Sequence, residues 1–138
     1  MPVKKTGLIA VTVVAALLAG CSEGDLRQLG RDTEKALRDA GDALEDLAGQ
    51  AEGPLREAAA HAMDAAEEAR QASKEFRKNP TTETRQALRR SKRRLDDVSR
   101  ELEGLLDHAP SGVRSALHHA LDSLTELRHR IQRELDSS

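Results

Sequence analysis

The sequence predicts an all-α protein, an antiparallel up-down four-helix bundle, and three observations carry that prediction. Apolar residues recur at alternating steps of four and three through four successive stretches, the spacing of one helix face. The stretches are parted by breaks holding Pro54, Pro80 and Pro110, and proline starts helices well but does not continue them. Strand formers are scarce: the 138 residues include one Phe and no Trp or Tyr. Most of the apolar content is Ala and Leu, which favour helix over strand.

Ahead of the bundle lies a different kind of segment. Lys4 and Lys5 precede an apolar run over residues 7–20, shorter than the roughly 20 residues a membrane-spanning helix needs. A charged start, a short apolar middle and small residues before a break form the pattern of a secretory signal. The break is followed at once by Cys21, the one cysteine of the chain. Leu18-Ala19-Gly20-Cys21 resembles the lipobox of bacterial lipoproteins, a branched apolar residue, two small residues and Cys. The resemblance covers residues 1–21. It implies cleavage before Cys21 once its sulfur carries a diacylglycerol group, followed by acylation of the new amine. A thiolate suits that transfer because it is a far better nucleophile than a hydroxyl. A lone cysteine in an exported chain has no partner for an internal disulfide, and lipidation gives it another purpose. The expected division is a signal peptide over 1–20, a lipidated Cys and short tether over 21–24, and the helical domain over 25–138.

The first helical seam reads Leu26, Gly30, Thr33, Leu37, Ala40, Leu44, Leu47, Ala51. Gly30 and Gly41 each weaken the helix by up to about 1 kcal/mol relative to Ala. The first break runs from Gly49 to Pro54, with Pro54 suited to the opening turn of the next helix. The second seam, Leu55, Ala59, Ala62, Ala66, Ala69, Ser73, Phe76, is nearly all Ala. A partner helix can come close to it, but little apolar area is buried per turn. Low stability, or dependence on self-association, is the expected consequence. Asn79-Pro80 marks the second break, with Asn79 expected as N-cap and Pro80 as the first residue of the third helix. That helix carries Thr84, Leu88, Ser91, Leu95, Val98, Leu102, Leu105, Ala109. Pro110-Ser111-Gly112 forms the third break, with Ser111 the expected cap. The last seam is Val113, Leu117, Ala120, Leu124, Leu127, Ile131, and neighbours such as Leu106 and Leu121 widen the stripes as a bundle requires. An extended coiled coil of several copies competes with the bundle, but the three prolines disfavour unbroken helices.

Chemical motifs are few. Glu126-x-x-His129 has the spacing of a di-iron bundle motif, yet Leu124 and Leu127 hold the seam, which turns both residues outward. A second copy is lacking. His61, His108, His118 and His119 also fall off the seams and are expected on the surface. No Gly-rich phosphate loop and no His-Glu-x-x-His is present. Neither a catalytic residue, a metal site nor a cofactor is predicted, and the chain is not expected to be an enzyme.

Charge is distributed unevenly. The part from Cys21 onward carries 20 Lys and Arg against 24 Asp and Glu, a balance that argues against nucleic-acid binding. Arg85, Arg89, Arg90, Lys92, Arg93 and Arg94 form the one basic cluster. It reads either as a solvated face or, with Cys21 fixing one end of the bundle, as a membrane-surface patch centred on Arg85, Arg89, Arg90, Arg93 and Arg94. In the up-down arrangement, stretches 22–36, 66–79, 80–95 and 124–138 share the anchored half and together carry +5. Stretches 37–65 and 96–123 share the far half and carry −9.

The expected function is that of a non-enzymatic, lipid-anchored cell-envelope protein, a helical scaffold or interaction module. Its partners would be the membrane through the anchor, and a second copy or another envelope protein. The alternative is an amphiphile- or lipid-binding protein whose bundle opens onto the membrane. Ser22, where Asp would favour inner-membrane retention in lipoproteins of this kind, implies the periplasmic side of the outer membrane. In a one-membrane cell the outer face of that membrane is implied.

Overall fold

The computed structural model describes residues 23–137, which form a four-helix bundle. The signal segment, Cys21 and Ser22 lie outside the described residues. Helix α1 spans Glu23–Gln50, α2 Pro54–Lys78, α3 Thr82–Gly104 and α4 Ser111–Asp136, with a 3-10 turn at Leu106–His108 between the last two. Each helix packs chiefly on two neighbours, α1 on α2 and α4, α3 on α2 and α4. Antiparallel order follows from the contacts: Glu134 near the end of α4 meets Thr33 early in α1 and Ser73 late in α2.

The breaks differ in detail from expectation. Gly53 sits at φ 61° ahead of Pro54, a left-handed conformation that glycine adopts without steric cost. Asn79 does not cap α3. Its N–H donates to the Glu75 carbonyl at 2.9 Å and closes α2 instead. Pro80 precedes the helix rather than opening it, because Thr81 is the cap. The Thr84 N–H donates to Thr81 Oγ1 at 3.1 Å, and the Thr81 N–H donates to Thr84 Oγ1 at 2.8 Å. That reciprocal box satisfies two donors at once, more than Asn79 could. At the third break, Ser111 is the first residue of α4 and caps nothing: the preceding residue is Pro110, whose carbonyl accepts from Val113 and Arg114. The 3-10 turn also removes Leu105 and Ala109 from α3, although Ala109 remains buried.

The seams themselves are the core. Leu44, Leu47, Leu88, Leu95, Leu102, Leu117, Leu124, Leu127 and Ile131 are fully buried. Facing them, α2 contributes Ala58, Ala59, Ala62, Ala65, Ala66 and Ala69. Between Leu55 and Phe76 at its two ends, the α2 side of the interior is therefore backbone, methyl groups and the Ser73 hydroxyl, and the larger branched side chains come from the other helices.

Candidate functional site

Apart from the separate hydroxyls of Ser91 and Ser99, the apolar interior is interrupted at one level, near the end of the bundle where α1 begins. The seam of α4 steps from Leu127 to Ile131, and three residues further lands on Glu134. This carboxylate is 4% exposed, and a buried charge must be matched by partners at close range. Thr33 Oγ1 donates to Glu134 Oε2 at 2.7 Å, and Ser73 Oγ donates to the same oxygen at 2.8 Å. Both hydroxyls stand at seam positions of their own helices, so each points at the carboxylate. Arg77, one turn past Ser73, supplies the countercharge. Its Nη1 donates to Ser73 Oγ at 2.8 Å and to Glu134 Oε1 at 3.3 Å, and its Nη2 donates to Glu34 Oε1 at 3.2 Å.

Gly30 makes room for that arginine. A Cβ at Gly30 would stand 3.1 Å from Arg77 Cδ and 3.3 Å from its Nε, so the side chain crosses α1 where α1 has no side chain. The fourth helix joins through Arg85, whose Nη1 donates to the Leu135 carbonyl at 2.8 Å. The guanidinium of Arg85 also lies 5.4 Å from the centre of the Phe76 ring, within cation–π range. Beside the cluster, Arg130 of α4 reaches Asp32 of α1 at 3.6 Å and Glu126 at 2.7 Å.

Chemically this arrangement is closed on itself. Both oxygens of Glu134 are occupied, the hydroxyls donate to it, and Arg77 bridges the two carboxylates. Such a network suits holding four helices in one register better than proton transfer, which needs a carboxylate open to a substrate.

The basic cluster predicted at the membrane surface divides. Arg85 is the half-buried link between α3 and α4 just described. Arg94 pairs with Glu68 of α2 at 2.8 Å, and Lys92 lies 3.7 Å from Asp96, itself paired with Arg128 at 3.0 Å. Arg89, Arg90 and Arg93 are exposed. The cluster thus runs up the outer side of α3 and is not gathered on the end of the bundle. Thr33 lies roughly 15 Å along α1 from Glu23 at 1.5 Å per residue. With Arg94 held to Glu68, roughly 7 Å above Ser73, the stripe reaches roughly 20 Å from the start of α1.

His61, His108, His118, His119 and His129 are all exposed, and His61 Nδ1 lies 3.2 Å from Glu101. Glu126 pairs with Arg130 and stands beside no metal-binding set, since the described residues contain no group of three or more His, Cys, Asp or Glu able to hold a metal ion. Glu134 and Arg77 were absent from the sequence reading. Continuing the α4 seam one step past Ile131 finds Glu134, and noticing that Thr33 and Ser73 are the polar seam residues of α1 and α2 finds its partners. No family model, curated protein or solved structure matches the chain.

Proposed function

We propose that the chain is a lipid-anchored cell-envelope protein whose bundle acts, without catalysis, as a scaffold or interaction module. The observation that carries this is the tetrapeptide Leu18-Ala19-Gly20-Cys21 directly ahead of a helix that begins at Glu23. With one residue, Ser22, between the lipid acceptor and the start of α1, the Glu134 end would rest against the bilayer. The network there supports a scaffold because its charged groups are engaged with one another. Ser22 supports the outer-membrane address in a two-membrane cell, or the outer face of the membrane in a one-membrane cell.

The basic stripe enters this proposal in a modified posture. Screening confines electrostatic attraction to about 8 Å at physiological salt, so an upright bundle would leave Arg93 and Arg94 out of reach of the lipid. Arg89, Arg90, Arg93 and Arg94 would bear on an anionic surface only with the bundle leaning onto its α3 side.

Replacing Cys21 tests the whole proposal. Cys21→Ser should accumulate as an uncut precursor without lipid in intact mass spectrometry of envelope fractions. A serine variant cut and localised like the wild type would sink it.

A further inference from the structure

The end of the bundle away from the start of α1 holds a cleft that the scaffold role does not use by itself. It lies between the α1–α2 turn and the 3-10 turn before α4, and encloses about 270 Å³. Ala51, Leu55, Leu105, Ala109 and Val113 line it, together with Glu52 and His108 at its rim. Leu105, Leu106 and Val113 are the half-buried apolar residues grouped at this end. Away from this end, Leu29 and Leu121 are half-buried singly, and among the described residues Met63 is the one large hydrophobic side chain that is exposed, at 37%. The cause is local: the 3-10 turn carries the chain out of α3 before Leu105 and Leu106 can turn fully inward.

Size and charge together narrow the occupant. Pockets for small organic ligands usually run from about 300 to 1,000 Å³, so this one is small for a cofactor but sufficient for one large apolar side chain. Single anchors of that kind dominate many protein interfaces. Glu52 is the one acidic residue of its lining, and the chain segments that form it, 50–57 and 103–114, add Glu57, Glu103 and Asp107 against Arg56 and Arg114. Arg114 is moreover occupied by the Ala109 carbonyl at 3.3 Å. The wider far half carries −9, a field that draws basic partners and repels acidic ones.

We infer that this tip docks a basic protein segment that inserts one leucine-sized side chain between Leu55, Leu105 and Val113. The inference rests on the scaffold reading and names the class of its partner, but the cleft can be tested apart from the anchor. The full chain, purified in detergent, is titrated against a labelled peptide Lys-Lys-Leu-Lys-Lys and its alanine and glutamate counterparts, Lys-Lys-Ala-Lys-Lys and Glu-Glu-Leu-Glu-Glu. The leucine peptide should bind at least tenfold more tightly than the alanine peptide, and the glutamate peptide should not bind. Val113→Arg, at a half-buried position where the helix should persist by circular dichroism, should weaken the leucine peptide tenfold or more. Glu52→Lys with Asp107→Lys, both exposed, should weaken it as well. Equal binding of the leucine and alanine peptides, or no binding at all, overturns the inference. So does capture of zwitterionic vesicles that Val113→Arg abolishes, which would make the tip a bilayer probe. Failure here with Cys21 lipidated leaves the anchor standing. Specific binding by a chain whose Cys21 proves unmodified leaves the cleft and removes the envelope setting.

Discussion

The two halves of the bundle are held together by different chemistry. Near the start of α1, three helices converge on the Glu134 carboxylate and a fourth is tied in by Arg85. Away from it, the buried layers are built from leucines such as Leu44, Leu47, Leu102 and Leu117 and the alanines of α2, and inter-helix polar links such as His61–Glu101 lie on the surface. Apolar contacts reward burial but tolerate sliding, because one leucine can replace another a turn away. A carboxylate that needs two hydroxyls and a guanidinium tolerates none. The polar half therefore sets the register, and the apolar half supplies the area.

The largest expected effect comes from breaking the matched layer. Glu134→Ala would leave Thr33 and Ser73 without their acceptor and Arg77 with Glu34 as its one remaining carboxylate, beside the Ser73 hydroxyl. Removing one partner of a buried pair costs about 3–5 kcal/mol. Arg77 keeps one carboxylate and some access to water, so the lower figure applies, about 3 kcal/mol. For a domain of this length that lowers Tm by on the order of 10 °C, readable by circular dichroism. The comparison sharpens with Thr33→Val, Ser73→Ala, Arg77→Met and Glu134→Leu combined. That set removes Glu134 and its three direct partners at once, leaves the partly exposed Glu34 to Arg70, and should recover the loss or exceed wild-type stability, since no buried polar group is stranded. If the combined variant is as unstable as Glu134→Ala, the cluster contributes stability in its own right and is not chiefly a register device.

A smaller effect separates two glycines that look alike in sequence. Gly41 has nothing within 4 Å of a built Cβ, so Gly41→Ala should stabilise by up to about 1 kcal/mol through helix propensity. Gly30→Ala should do the reverse. Its methyl would press on Arg77 Cδ and Nε, and Arg77 cannot yield freely while Ser73, Glu134 and Glu34 hold its guanidinium. A net loss of about 1 kcal/mol is expected, the size of one hydrogen bond to a charged group weakened. Denaturant midpoints of the two variants moving in the same direction would contradict the placement of Arg77 over Gly30.

These glycines also show how far the sequence could be read. From Gly30 onward the seams predicted from spacing are buried, with Thr84, Leu105 and Val113 only half-buried at helix ends. Periodicity serves well there because burial of a helical stripe is a property of the helix alone. Gly30 stood on a seam in that reading, but only as a weak point, since its purpose lies in Arg77, 47 positions away. Glu134 was missed for a related reason. A charged residue ends an apolar pattern to the eye, while geometry continues it. The caps failed on a local contest: Asn79-Pro80 is a sound start signal, but Thr81 and Thr84 form two bonds where Asn79 could form one. Arg85 sat inside a run of basic residues, and nothing in the run marks which member meets Phe76 and the end of α4.

The smallest effect tests the other side of the comparison, a polar group in the apolar half. Ser99 is 1% exposed and its Oγ has no hydrogen-bond partner, in contrast to Ser73, which donates to Glu134 and accepts from Arg77. An unmatched buried hydroxyl retains its desolvation cost without compensation. Ser99→Ala removes that cost and adds helix propensity, so a gain of about 0.5 kcal/mol is expected. Ser73→Ala should lose stability, because it strips one donor from a buried carboxylate and one acceptor from Arg77. Opposite signs for two serines of equal burial would show that matching, not polarity, decides what the interior tolerates. If Ser99→Ala instead loses 1 kcal/mol or more, its hydroxyl has found a partner, and the far half is more specified than its leucines and alanines suggest.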